Sequence, residues 1–428
     1  MKIDRVCLFG VSIALALLTA GFARATAAPF SIDVRQFGAK GDAVTDDTKA
    51  FQSAMDSLEP AGGIVNVPAG NYLIATHLKI PVGVTLQGVW TIPTAFSQMK
   101  GSTLLCVEGA ASEKGTPFIT LSYNSALKGM TVFYPKQNPN AIVPYPWCVS
   151  DQAGPGGDAS IVDCLLVNPY QGVDLGSHTS GRHYIRNLYG QPLRMGIYVS
   201  QSYDIGRIEN VHFWPFWYWS KSKYLQKWMI DNGEAFVFGR ADWEYVLNTF
   251  VFGYGVGYRF IKTPDGCCNG NFSGIGADDS GVAVKVDQAW PYGLLITNGE
   301  FVAMEGDTKT QVVVSPANTG VVQFANCSFW GPSTHIANIA GNGYVTFNAC
   351  NLRGWNPAGA AIVSSGGGVT ANACIFGTDA PQLQLSAGAG GAVFLGNQIT
   401  GALRIENPAL AELQQGFNVS RAAAPIAH

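Results

Sequence analysis

The sequence predicts an all-β solenoid built from stacked strand coils, and three observations carry that reading. Short alternating segments repeat: Val322-Gln-Phe-Ala-Asn-Cys-Ser-Phe329, Val345-Thr-Phe-Asn-Ala-Cys-Asn-Leu352 and Val369-Thr-Ala-Asn-Ala-Cys-Ile-Phe376 start 23 and then 24 residues apart, and a fourth copy starts 24 further on at Val393. Apolar and polar residues alternating with period two make a half-buried strand. The same period appears earlier, where Ile161-Val-Asp-Cys, Ile185-Arg-Asn-Leu and Ile208-Glu-Asn-Val begin 24 and 23 residues apart and are followed by Pro169, Pro192 and Pro215. Between the copies lie Gly, Asn, Pro and Ser, and no copy has a 3.6-residue apolar period, which argues against helical repeats.

A repeat array is one elongated unit, so residues 29–428 read as a single domain despite their number. Hydrophobic content of 47% against 13% charged residues supplies a continuous core, and 51 glycines suit strands and turns. Residues 1–28 read as an export signal: Lys2 and Arg5, an apolar run from Val6 to Leu18, then small residues ending Ala25-Thr-Ala27. The run is shorter than the roughly 20 residues that a membrane span needs. The expected localisation is therefore secreted or periplasmic, with no membrane partner after cleavage. Removing three basic residues and one acidic one takes the net charge from −3 to −5. With no basic tail, a nucleic-acid partner is not expected.

Cys327, Cys350 and Cys374 hold one position of consecutive copies, and Cys164 holds a similar one. Equivalent side chains stack inside a solenoid, where free thiols pack well, so a reduced ladder is expected rather than bridges. No cysteine pair has zinc-ligand spacing, and no metal site is expected.

Taken in order, the chain opens with a strand-like Ile32-Asp-Val-Arg-Gln-Phe37. It turns through Gly38-Ala-Lys-Gly-Asp-Ala-Val-Thr-Asp-Asp-Thr48 and enters an amphipathic helix over 49–58. Thr45 or Asp46 is placed to accept the first free helical amides, and Asp42, Asp46 and Asp47 read as turn-forming and capping residues. Two strand-and-turn units follow, Gly62-Gly-Ile-Val-Asn-Val-Pro-Ala-Gly-Asn-Tyr-Leu-Ile74 and Val82-Gly-Val-Thr-Leu-Gln-Gly88.

From Asp33 to Gly88 these Gly-Ala-Lys-Gly-Asp, Thr-Asp-Asp-Thr and Val-Pro-Ala-Gly-x-Tyr segments closely resemble the opening of the pectate-lyase-like superfamily, which includes polygalacturonase- and rhamnogalacturonase-related proteins and phage tailspikes. The resemblance implies a right-handed parallel β-helix whose N-terminal mouth is plugged by the helix at 48–58. It also implies a polysaccharide substrate, and several members are trimers, so a homotrimer is an expectation.

Loops rich in Pro and Asn, among them 134–147 and 151–158, interrupt the coils and would wall a groove for an extended ligand. The least regular stretch is His212-Phe-Trp-Pro-Phe-Trp-Tyr-Trp-Ser-Lys-Ser-Lys-Tyr-Leu-Gln-Lys-Trp228. Flat rings stack on the C–H faces of sugars, which makes Trp214, Trp217, Trp219 and Trp228 candidate platforms; a satellite core or a subunit contact is the alternative.

Asp231, Glu234, Asp242 and Glu244 follow at once, with Arg240 among them as a candidate substrate contact. Glycoside hydrolysis uses one carboxylic acid and one carboxylate, and this cluster offers both. If 241–247 is a strand, Asp242 and Glu244 share a face and push one another's pKa apart. The bland alternative is solvated loop charge.

Asp278-Asp279 looks like the adjacent aspartates of polygalacturonases, but the companion motifs Asn-Thr-Asp, Gly-His-Gly and Arg-Ile-Lys are not found in order. Gly176-Ser-His-Thr179 comes too early, and Arg404-Ile-Glu406 lacks the lysine. A turn role is the alternative for this pair.

The locally basic stretch 182–207, with Arg182 foremost, supports a second chemistry. This is β-elimination on a uronate-containing glycan, in which calcium could take part. The sequence reading is thus a secreted enzyme cleaving glycosidic bonds of an extracellular polysaccharide, a glycoside hydrolase. The alternatives are a polysaccharide lyase and a non-catalytic binding solenoid.

Overall fold

The computed structural model describes residues 30–90, 100–154, 157–214 and 222–422. The predicted export signal, Trp217 and Trp219 lie outside them. The described chain is an all-β parallel solenoid of about fifteen coils. Each coil carries up to three strands on three faces, and every strand pairs in parallel with its equivalent on the next coil. One regular coil shows the order. Tyr344–Asn348 lies on face 1, Asn351–Leu352 on face 2 and Ile362–Ser364 on face 3; the chain then returns to face 1 at Gly368–Asn372. Face 3 is a separate sheet of 13 strands. Faces 1 and 2 merge because three strands, Ser160–Val167, Tyr184–Gly190 and Arg207–Phe213, pass the corner between them unbroken.

That corner is made by one left-handed residue per coil. Asp163, Asn187, Asn210, Asn248, Asn298 and Asn326 have φ between 51° and 56° there. Asn and Asp tolerate this conformation best among residues with a side chain, which explains their recurrence in the repeat. Their amides also bond along the stack: Asn187 Nδ2 donates to Asp163 Oδ1, Asn210 to Asn187 and Asn326 to Asn298, each at 2.7 Å.

The residue after the corner points inward, which is where Cys164, Cys327, Cys350 and Cys374 sit. All eight cysteines of the described residues are buried and free. Burial pushes the Cys106 and Cys164 thiols up to about 12, so they are unreactive packing groups. Aromatic rings stack in the same way: Phe324 on Phe347 at 5.2 Å and 8°, and Phe236 on Tyr258 at 5.0 Å and 6°.

Helix α1 spans Thr48–Asp56 and buries Phe51, Ala54 and Met55. Phe51 meets the Tyr72 ring edge-on at 5.0 Å, and the Gln52 side-chain amide bonds both the N–H and the C=O of Lys79 on the first face-3 strand. The preceding aspartates work as turn and cap groups. Asp46 accepts from the Thr48 N–H at 3.0 Å, and Asp47 from Lys40 and Gly41 at 2.7 and 3.0 Å. Asp42, bonded by the Thr45 and Val44 amides, is held down at about 2. A second helix, α2 (Lys223–Asn232), rises inside the stretch that reads as merely irregular, with Ser222 Oγ accepting from the Leu225 N–H at 3.2 Å. Among the described residues no helix is long and apolar enough to cross a membrane.

Candidate functional site

Face 3 and the α2 corner beside it carry a row of three cavities. On the strands of face 3 the outward residues Asp174, Tyr198, Val237, Arg259 and Lys285 are register neighbours on consecutive coils. Over them opens a cavity of about 640 Å³ walled by Trp147, Tyr198, Glu234, Arg259, Lys262 and Asp287. Trp147 and Tyr198 lie nearly parallel, 15° apart with centroids at 6.4 Å. Arg259 bridges two carboxylates, Glu234 at 2.5 Å and Asp287 at 2.8 Å; Arg194 reaches Glu234 at 3.5 Å. A second cavity of about 360 Å³ shares Glu234 with the first and adds Arg194 and Lys285. A third of about 380 Å³ shares Ile230 and Asp231 with the second, so the three form one tract.

The third cavity is acidic. Asp231 comes from the end of α2, Asp279 from the face-2 strand Gly276–Ser280, and Glu305 and Asp307 from the turn that follows the next face-2 strand, Glu300–Ala303. Asp279 is pushed up to about 6, first by burial and then by the charges of Glu305 and Asp278 and a hydrogen bond with Glu305. Asp278 is raised too, by burial and by the charge of Glu300 on the next coil. Asp231 instead pairs with Lys227 at 2.7 Å. A carboxyl raised by burial and one paired with a lysine thus line one open pocket.

The remaining sequence candidates lie elsewhere. Ala241–Leu247 is a strand as expected, but Asp242 and Glu244 do not share a face. Trp243 between them takes φ 51°, which offsets the alternation by one residue. Asp242 faces outward and chelates Arg240, with Nη2 to Oδ2 at 2.7 Å. Glu244 turns inward, fully buried, and meets His183 Nε2 at 2.9 Å. Burial opposes the charge on His183, yet the negative Glu244 and Asp151 outweigh it and raise its pKa. Mutual repulsion of Asp242 and Glu244 is replaced by two separate ion pairs, and neither residue lines the tract.

Arg182 sits at the exposed surface between Asp158 and Asp204, at 2.7 and 3.4 Å. Trp214 packs on Phe252 with centroids 4.9 Å apart, and Trp228 on Tyr170 at 5.8 Å against the core. Both are therefore partly spent on packing. Among the described residues no three His, Cys, Asp or Glu side chains converge as metal ligands.

Residues 31–143 match a family model described as rhamnogalacturonase A/epimerase, pectate lyase-like. The matched segment is the N-terminal part of the parallel β-solenoid. Among curated relatives it is 37% identical over 89 residues to a probable glucan endo-1,3-beta-glucosidase of Arthroderma benhamiae, covering 20% of this chain and 10% of that protein. It is 35% identical over 75 residues to an exopolygalacturonase of Arabidopsis thaliana, covering 16% and 17%. The chain thus spans no more than about a sixth of these relatives, so the likeness concerns one segment. Among solved structures, the N-terminal fragment of gene product 12 of bacteriophage phi29 superimposes over 91% of this chain and 72% of that one, with a TM-score of 0.57 at 14% identity. The A-module of a mannuronan C-5 epimerase of Azotobacter vinelandii does so over 92% and 100%, with a TM-score of 0.50 at 15% identity. At such identities the superpositions speak for the fold alone.

The sequence reading missed Glu305, Asp307, Asp287, Arg259, Trp147 and Tyr198. One signal was available: Glu305 lies 26 residues after Asp279, close to one coil period, so it stacks beside it.

Proposed function

We propose that the chain is an exported carbohydrate-active enzyme that hydrolyses a glycosidic bond of a polysaccharide lying in the face-3 tract. The observation that carries this reading is Asp279, a carboxyl pushed up to about 6 by burial and by Glu305, in an open cavity that it shares with the lysine-paired Asp231. Asp279 donates its proton to the leaving glycosidic oxygen while the bond from that oxygen to the anomeric carbon breaks. Asp231 takes a proton from the water that attacks the same carbon, or attacks the carbon itself and is displaced by water in a second step. Glu305 keeps the Asp279 proton in place by its negative charge. The parallel rings of Trp147 and Tyr198 hold sugar faces farther along the tract. The relatives named for glucan and polygalacturonan cleavage support a glycan as the ligand. In the same reading α1 plugs the N-terminal mouth of the solenoid, residues 1–28 direct export, and a homotrimer would place three tracts on one particle.

One observation favours elimination instead: Arg194, Arg259, Lys262 and Lys285 line the first two cavities of the tract and suit the carboxylates of a uronate polymer. Assay across a polysaccharide panel separates the readings. Hydrolysis releases reducing ends alone, elimination adds the absorbance of unsaturated uronates, and a binding solenoid gives neither. Asp279→Asn and Asp231→Asn should each abolish the release; full activity in both would overturn the assignment.

A further inference from the structure

We propose that the corner between faces 3 and 1 carries a second sugar-binding surface, separate from the tract, made by the exposed rings of Tyr203, Trp243 and Tyr292 around Arg240. The Arg240 guanidinium carbon lies 5.2 Å from the Tyr203 ring centroid and 5.4 Å from that of Trp290. Asp242 chelates the same guanidinium, and Trp290 in turn touches Tyr292, with centroids 6.1 Å apart. Only 14% of the Arg240 side chain is exposed, so it braces the rings more than it reaches for a ligand. Gly266 leaves room for this brace: a Cβ there would stand 2.7 Å from Arg240 Cδ.

Three rings of this corner are turned to solvent. Tyr203 is 50% exposed, Trp243 61% and Tyr292 78%. Trp243 does so at φ 51°, a conformation that bulky residues rarely adopt, so local geometry is strained to present its indole. Spacing gives the surface its ligand class. Arg207 is the register neighbour of Tyr245, Tyr245 of Asn271 and Asn271 of Leu295. The strands following Tyr203, containing Trp243 and containing Tyr292 are therefore one coil and then two coils apart, about 5 and about 10 Å along the axis. Those are steps of one and two sugar units, so an extended pyranose chain running along the solenoid can lay its C–H faces on successive rings. Asp242, 40% exposed, keeps lone pairs free for hydroxyls. None of these rings lines the face-3 cavities.

The proposal rests on the preceding reading only for the choice of a glycan as ligand. It is tested by affinity electrophoresis through gels containing a soluble neutral or uronate-containing polysaccharide, with the Asp279→Asn protein as parent so that the ligand stays intact. Trp243→Ala, Tyr292→Ala and Tyr203→Ala should each weaken retention about tenfold. Trp243→Phe and Tyr292→Phe, which keep a flat ring, should run near the parent. The inference is overturned if the alanine variants migrate like the parent, or if the parent is retarded by no polysaccharide. It is also overturned if the alanine changes instead abolish self-association seen by light scattering, since the surface would then be a subunit contact. Because retention needs no turnover, its outcome is independent of whether Asp279 is the catalytic acid.

Discussion

Replacing Glu305 by Gln should move the pH at which activity falls off toward acid. Asp279 stands at about 6 against an ordinary 3.8, and burial is the first cause of that rise. The charge of Glu305 is the next, together with its hydrogen bond. Neutralising Glu305 leaves the burial in place but removes the repulsion, so the alkaline limb of the rate profile should shift by on the order of one pH unit. The sign follows from the role. An acid catalyst must carry its proton, so the wild-type rate should fall as pH rises through about 6, and a lower Asp279 pKa should bring that fall earlier. Near pH 7 the variant should lose about tenfold in rate, while at pH 4 it should approach the wild type. The assay is initial-rate reducing-sugar release between pH 3 and 8 at saturating polysaccharide. An alkaline limb at the same pH in both proteins would refute the Asp279–Glu305 pairing as the source of the catalytic proton.

Tyr198→Ala or Trp147→Ala should raise KM about tenfold with kcat little changed, read from steady-state kinetics, because a stacking platform binds ground state and transition state alike. Stability should fall as pH rises from 4 to 8, followed as the midpoint of thermal unfolding. Buried Asp151 is raised to about 6, so the cost of its charge is absent below its unfolded pKa and grows as pH climbs through 6. His183, raised by Glu244 and Asp151 against its burial, stabilises below its unfolded pKa and loses that contribution as pH passes its folded one, so the two act in the same direction. Asp151→Asn should flatten the profile by up to about 3 kcal/mol. Phe347→Ala, opening a gap in the ring stack with Phe324, should cost about 3–5 kcal/mol in denaturant unfolding.

The coils were legible because their signal is local and repeated. A Val or Phe every second residue and an Asn or Asp at a left-handed corner recur within each copy, and inward packing forces them to. Helix α1 was legible from its apolar spacing, within two residues at its end. The candidate site was not, for a different physical reason: it is assembled across coils rather than along them. Asp231 reaches the third cavity from α2, Asp279 and Glu305 from successive coils, and Arg259 is placed by register against Val237 and Lys285. The strand at Ala241–Leu247 was also foreseen, yet one left-handed residue, Trp243, reversed what its alternation says about Glu244. Density of carboxylates in sequence drew attention to Asp242 and Glu244; only the stacking of coils separates a paired carboxylate from one poised in a cavity.

The measurement that tests the central claim most directly compares Asp279→Asn, Asp231→Asn and Asp242→Asn proteins for cleavage of the polysaccharide that the unsubstituted protein degrades. The face-3 account predicts losses of about a hundredfold or more in kcat for the first two and near-full activity for Asp242→Asn, with reducing ends as the sole product signal. Retained activity in Asp279→Asn and Asp231→Asn, with loss confined to Asp242→Asn, would contradict it.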